Sequence, residues 1–166
     1  MTHWIAALLA LSLTSCVMRS GAPFQERDKR LANLQREKDK LKRSSDPVSH
    51  TKTQIKISEL LLTFVGDAVK KGDMEILDQR LSEYVSTIQD AHQTMAKTGR
   101  DAHRKPGGFR ELEISLRRQI NQLKDIGGAL TFDQRDSVEK AREEAANIRD
   151  ELLKALFGSP NVTSGD

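Results

Sequence analysis

Apolar residues step by three and four along most of the chain, and nowhere do they alternate with period two for long enough to make a strand. Val48, Thr51, Ile55, Ser58, Leu62, Val65 and Val69 mark one helical face, and Leu61, Phe64 and Ala68 widen it into a core-facing stripe. Pro47 suits the first turn of that helix, Lys70 and Lys71 suit its last turn, and Gly72 suits its C-terminal cap. Asp73 follows at once as an N-cap, so the next helix must fold back as an antiparallel hairpin. That helix carries Leu77, Leu81, Tyr84, Val85, Ile88, Ala91 and Met95, and the pattern predicts that it runs to about Thr98 and stops at Gly99.

A loop from Arg100 to Gly108 leads to a fourth helix marked by Phe109, Leu112, Leu116, Ile120 and Leu123, closed by Gly127 and Gly128. Thr131 or Asp133 is the expected cap of a fifth, in which Val138, Ala141, Ala145, Ile148, Leu152 and Leu156 repeat the same step. The reading is all-α: an antiparallel helical bundle of about four helices over residues 47–157, with up-down-up-down as the simplest topology. Residues 158–166, opening on Gly158-Ser159-Pro160, are expected to form a disordered tail. Leu77-Asp78-Gln79-Arg80 and Phe132-Asp133-Gln134-Arg135 are alike, as two duplicated hairpins could make them.

Before the bundle, residues 24–46 read as a basic stalk helix, broken at Ser44-Ser45-Asp46-Pro47. Phe24, Leu31, Leu34 and Leu41 stand at heptad-compatible spacing, enough for one coiled-coil-like seam but not for a core. Charge is unevenly shared. Nine basic residues face four acids between Arg19 and Arg43, although the whole chain is only +3. Arg27, Lys29, Arg30, Arg36, Lys38, Lys40, Lys42 and Arg43 are therefore candidate contacts to an anionic membrane surface. The competing reading is a solvated helix laced with i,i+4 pairs such as Glu26 with Arg30. Aromatics do not interleave these charges, which argues against nucleic acid.

The N-terminus explains why a basic stalk would matter. Residues 1–18 contain no Asp, Glu, Lys or Arg, and Trp4–Leu13 is apolar apart from Ser12. That run is too short to span a bilayer, which takes about 20 residues, and it reads as the apolar region of a secretory signal peptide. Leu13-Thr14-Ser15-Cys16 resembles the lipobox of bacterial lipoproteins. The resemblance implies a signal peptide over 1–15, cleavage before Cys16, acylation of that cysteine, and a lipidated tether over 16–23. Val17, rather than Asp, follows the cysteine, which by the same resemblance favours the outer membrane, facing the periplasm. Trp4 is the only tryptophan, so the processed protein would contain none.

Candidate chemistry is sparse. Charged residues make up 31% of 166 and mean hydropathy is −0.57, which excludes a multi-span membrane protein. The single cysteine excludes an internal disulfide or a cysteine-built zinc site, and acylation would remove it as a nucleophile. Asp90-Ala91-His92 and Asp101-Ala102-His103 repeat a triplet, but on one helix their imidazoles would lie about 16 Å apart, too far to share a metal. No Glu-x-x-His and no phosphate-binding glycine loop occurs. The densest unusual feature is the loop from Gly99 to Phe109, where Arg100, His103, Arg104, Lys105 and Arg110 are candidate anion-binding groups. Glu111 and Glu113 are the simpler occupants of the positive end of the following helix. The expectation is a non-enzymatic, membrane-anchored interaction or scaffold protein of the cell envelope, with no cofactor or metal, whose partners are membrane lipid through Cys16 and an envelope protein or polymer. The alternative is a small-anion or metal sensor using the His92–Arg110 region, with an envelope hydrolase a third reading.

Overall fold

The computed structural model describes residues 22–158, with side chains from Arg27 onward. The expected signal peptide, Cys16, most of the expected tether, the side chain of Phe24 and residues 159–166 lie outside the described part. Five helices follow in order: α1 (Ala22–Arg43), α2 (Pro47–Lys71), α3 (Met74–Ala96), α4 (Phe109–Gly128) and α5 (Asp136–Phe157). The all-α helical bundle read from the periodicity is what the chain forms.

Gly72 and Asp73 act as the caps read from the sequence, and Asp46 adds one at the start of α2. The Asp46 carboxylate accepts from the Ser49 amide at 2.8 Å at the start of α2. That bond to the Ser49 backbone is the main reason its pKa sits below the usual Asp value. At the far end Gly72 adopts φ 68°, and its neighbour Asp73 donates its amide to the Ala68 carbonyl at 3.0 Å. Asp73 then caps α3 by accepting from the Ile76 amide at 3.1 Å. Two residues therefore turn the chain through a full reversal, and α2 and α3 must lie side by side.

Two boundaries differ from expectation. Helix α3 stops at Ala96, two residues short of Thr98, with the Thr98 hydroxyl donating to the Met95 carbonyl at 2.6 Å, and the second Asp-Ala-His triplet lies in the loop as expected. Before α5, Phe132–Gln134 form a single 3-10 turn, and the helix starts only at Asp136. Leu130 is buried there, and the Arg135 side chain donates to its carbonyl at 2.9 Å, holding the chain in a bend that a straight N-cap at Thr131 or Asp133 would not allow. The two alike tetrapeptides are thus not structurally equivalent: one lies in α3, the other in this turn.

Directions alternate up, down, up, down from α2 to α5, but the neighbours are not those of the simplest bundle. Helix α2 packs on α3 and α4, α5 packs on α3 and α4, and α3 meets α4 only sparingly across the diagonal. Residue pairs give the directions. Lys52 with Glu111 and Ser58 with Gln119 make α2 and α4 parallel, and Gln89 with Glu144 and His92 with Glu151 make α3 and α5 parallel. The molecule is therefore two antiparallel hairpins, α2–α3 and α4–α5, laid side by side in the same sense. The segment from Lys97 to Gly108 permits this because it is long enough to cross the diagonal, whereas the link at Gly72 and Asp73 is not.

The core between the hairpins is aliphatic at most levels, with Leu61, Leu62, Val65, Leu77, Leu116, Leu123, Val138 and Leu152 fully or almost fully buried. One level is polar. The Tyr84 hydroxyl donates to Gln119 Oε1 at 3.0 Å, and Gln119 Nε2 donates to Ser58 Oγ and Ser115 Oγ, both at 2.8 Å. The two serines pass their own protons on, Ser58 to the Ile55 carbonyl and Ser115 to Glu59. Every member of this layer has a partner, so it fixes the register of α2, α3 and α4 without leaving an orphaned group. Burial pushes the Tyr84 phenol well above its usual pKa, which keeps it a donor.

The basic helix at the start of the described chain is docked: α1 packs antiparallel on α2. Its apolar seam is narrower than the heptad reading suggests, since Leu34 is buried and Leu41 packs on the core while Leu31 is exposed. Charged groups complete the contact. Arg30 reaches Asp67 at 2.7 Å, and the guanidiniums of Arg30 and Arg80 lie 5.7 and 5.6 Å from the centre of the buried Phe64 ring. Lys38 pairs with Glu83 on α3, which also accepts from Arg80 at 2.8 Å.

Burial alone would raise the Glu83 carboxyl, but its bonds to Lys38 and Arg80 outweigh burial and hold its pKa below the ordinary 4.5. A depressed folded pKa stabilises the fold above the unfolded value and loses that contribution as pH falls through the folded one. The stability of the Lys38→Met protein should accordingly fall less between pH 5 and pH 3 than that of the parent, as read from melting temperatures across that range. A second expectation concerns Gly108, which has φ 90° and is buried against Met95. A Cβ there would come within 2.5 Å of Met95 Sδ. Overpacking and left-handed strain together predict that Gly108→Ala costs about 2–4 kcal/mol in urea denaturation.

Candidate functional site

Two surfaces gather the residues singled out in the sequence. The first is the outer face of α1. At 100° per residue, Lys29, Arg36, Lys40 and Arg43 fall within an arc of about 60°, opposite the docked face. All four are exposed. They form a stripe about 21 Å long at 1.5 Å per residue. Pairing along it is weak: Lys40 stands 4.0 Å from Glu37, and Arg43 donates Nε to the Asp39 carbonyl at 3.1 Å. The other basic residues divide differently. Arg30 and Lys38 turn inward to Asp67 and Glu83, Lys42 lies 3.5 Å from Asp39, and Arg27 is exposed on the side of α1 nearer the bundle. The eight candidates thus separate into a docking pair, an outward stripe of four, Lys42 beside Asp39, and Arg27 on the side nearer the bundle.

The second surface is at the end of the bundle where the α3–α4 loop meets the last turn of α5. Asp101 Oδ1 accepts from the amides of His103 and Arg104 at 2.9 and 3.3 Å, which shapes the loop. Ala102 is buried beneath it. His103 Nδ1 lies 3.1 Å from the Leu156 carbonyl, tying the loop to α5. Gly108 donates its amide to Glu111 Oε2 at 2.7 Å, and Glu111 Oε1 meets Lys52 at 3.2 Å. Burial opposes but does not cancel these bonds, so the Glu111 pKa lies below its usual value. Glu111 is thus the occupant of the N-terminus of α4.

Glu113 has a different place: it is buried, with Arg149 Nε at 3.0 Å on one oxygen and Arg117 Nη2 at 3.2 Å on the other. Beside this cluster is a cavity of about 390 Å³ lined by loop residues, by α4 and by the end of α5. His103 and Arg110 line it, and so do Ile114, Arg117 and Phe157.

Of the five candidate anion-binding residues, then, His103 and Arg110 come together. Arg104 bends back to Asp101 at 3.5 Å, Lys105 is exposed away from the cavity lining, and Arg100 lies toward Asp46 at the start of α2, where its charge helps to lower that carboxyl. His92 is on another face, 3.5 Å from Glu151, so the two triplet histidines do not converge. Among the described residues no three His, Cys, Asp or Glu side chains converge as metal ligands would. Ile114 and Arg117 were missed in the sequence although they stand four and seven residues beyond Arg110 on one face of α4. Phe157 could be placed there only by the packing of α5.

No described helix is long and apolar enough to cross a membrane. Compared with family models, curated proteins and solved structures, the chain matches none.

Proposed function

We propose that this chain is a lipid-anchored, non-enzymatic interaction module of the cell envelope, held in the outer membrane by acylated Cys16 and facing the periplasm. The observation that supports the reading best is the division of charge on α1. Arg30 and Lys38 are used to dock the helix on the bundle, while Lys29, Arg36, Lys40 and Arg43 face outward. The helix begins six residues after Cys16. An anchor at that point and a basic stripe beside it cooperate, since one acyl chain binds only marginally and each basic residue near an anionic surface contributes roughly 1 kcal/mol. Because α1 is packed on α2, the stripe would lay the bundle against the bilayer and present the faces of α3 and α5 to envelope partners.

Incorporation of labelled palmitate in the native cell, followed by intact mass, tests the anchor. The expected product begins at Cys16, carries acyl chains and lacks Trp4, and Cys16→Ser abolishes labelling. An unprocessed chain with a free thiol would overturn the reading. Replacing Lys29, Arg36, Lys40 and Arg43 by Gln should weaken binding to anionic vesicles by at least about tenfold while leaving neutral vesicles unaffected.

A further inference from the structure

We infer that the cavity between the α3–α4 loop, α4 and the end of α5 is a binding site for a small amphipathic monocarboxylate, an acyl or aryl chain ending in a single carboxylate. The inference does not depend on the anchor, because it rests on the other end of the bundle.

Three observations converge on this ligand. Size comes first: about 390 Å³ lies at the small end of the range for small-molecule sites. Charge comes next. Glu113 is already committed to Arg117 and Arg149, whereas Arg110 makes no ion pair among the described residues and borders the same cavity. One uncommitted guanidinium, with the partly engaged Arg117 beside it, suits a monoanion and its planar, bidentate geometry better than a multiply charged phosphate. The third is the apolar wall. Only four large hydrophobic side chains are exposed among the described residues, and two of them, Ile114 at 39% and Phe157 at 76%, flank this cavity. Exposed apolar groups scattered singly need no explanation, but a pair bracketing a free cation does. Leu156 and Ala102 continue the apolar floor, and the His103 ring is fixed at its rim by the Leu156 carbonyl. A carboxylate on Arg110 would place its chain along Ile114 and Phe157.

The fit can be measured by calorimetry with the full-length chain in phosphatidylcholine nanodiscs, titrated with octanoate against empty discs. Saturable one-to-one binding is expected, with acetate lacking the chain and octan-1-ol lacking the charge, so that neither competes. Arg110 and Phe157 are exposed, so Arg110→Gln and Phe157→Ser should leave the melting temperature unchanged. Arg110→Gln should weaken octanoate about tenfold, the effect of losing one charge-assisted hydrogen bond, and Phe157→Ser should weaken it severalfold. Heat that matches partitioning into empty discs, equal affinity for octan-1-ol, or unchanged affinity in Arg110→Gln would each overturn the assignment.

Discussion

Helix α2 has to satisfy three neighbours at once, and the rest of the fold depends on how it does so. It meets α1 through Phe64, whose ring centre lies within 6 Å of the guanidiniums of both Arg30 and Arg80. It meets α4 through Ser58, bonded to Gln119. Toward α3 it is closed by the turn at Gly72 and Asp73, which leaves no freedom in the pairing of the two helices. Eleven of its 25 residues are buried, four of them polar, so α2 cannot be an ordinary amphipathic surface helix with one wet face. Each contact uses different chemistry, and that difference assigns each neighbour to its own side.

The Tyr84–Gln119–Ser58–Ser115 layer complements this arrangement. Aliphatic packing would tolerate α2 and α4 sliding by a turn, because Leu against Leu is nearly equivalent one step along. A buried amide with partners on two other helices has one register, and a slip would leave the Tyr84 hydroxyl and the amide proton given to Ser58 unsatisfied at about 1–3 kcal/mol each. Parallel α2 and α4, and so the side-by-side arrangement of the two hairpins, gain their specificity from this layer. Charge serves a comparable purpose on α1, where Asp67 and Glu83 select which basic residues face inward.

Helix positions were legible because the residues that line the core are mostly aliphatic and recur at the helical period, as Val138 to Leu156 do in α5. Helix neighbours were less so. The link through Gly72 and Asp73 is too short to permit an alternative, but the segment from Lys97 to Gly108 fits either an adjacent or a diagonal crossing, and no local pattern decides between them. The docking of α1 was hidden for another reason: part of its contact is made by Arg30 and Lys38, which any hydrophobic count scores as solvated. Within the candidate cavity, His103 and Arg110 were visible as part of an unusual loop. Ile114 and Arg117 were hidden in an ordinary amphipathic helix, and Phe157 lies at least forty residues further on.

The central claim is that the basic N-terminal helix is part of the folded body, positioned by α2 and α3, rather than a free neck between an anchor and a bundle. Native-state hydrogen exchange resolved along the chain addresses it directly. If α1 is docked, amides around Leu34 exchange slowly, by an opening less costly than global unfolding, and Asp67→Asn speeds them while leaving α5 unchanged. Exchange of those amides at the rate of an isolated, fraying helix, indifferent to Asp67, would contradict the account.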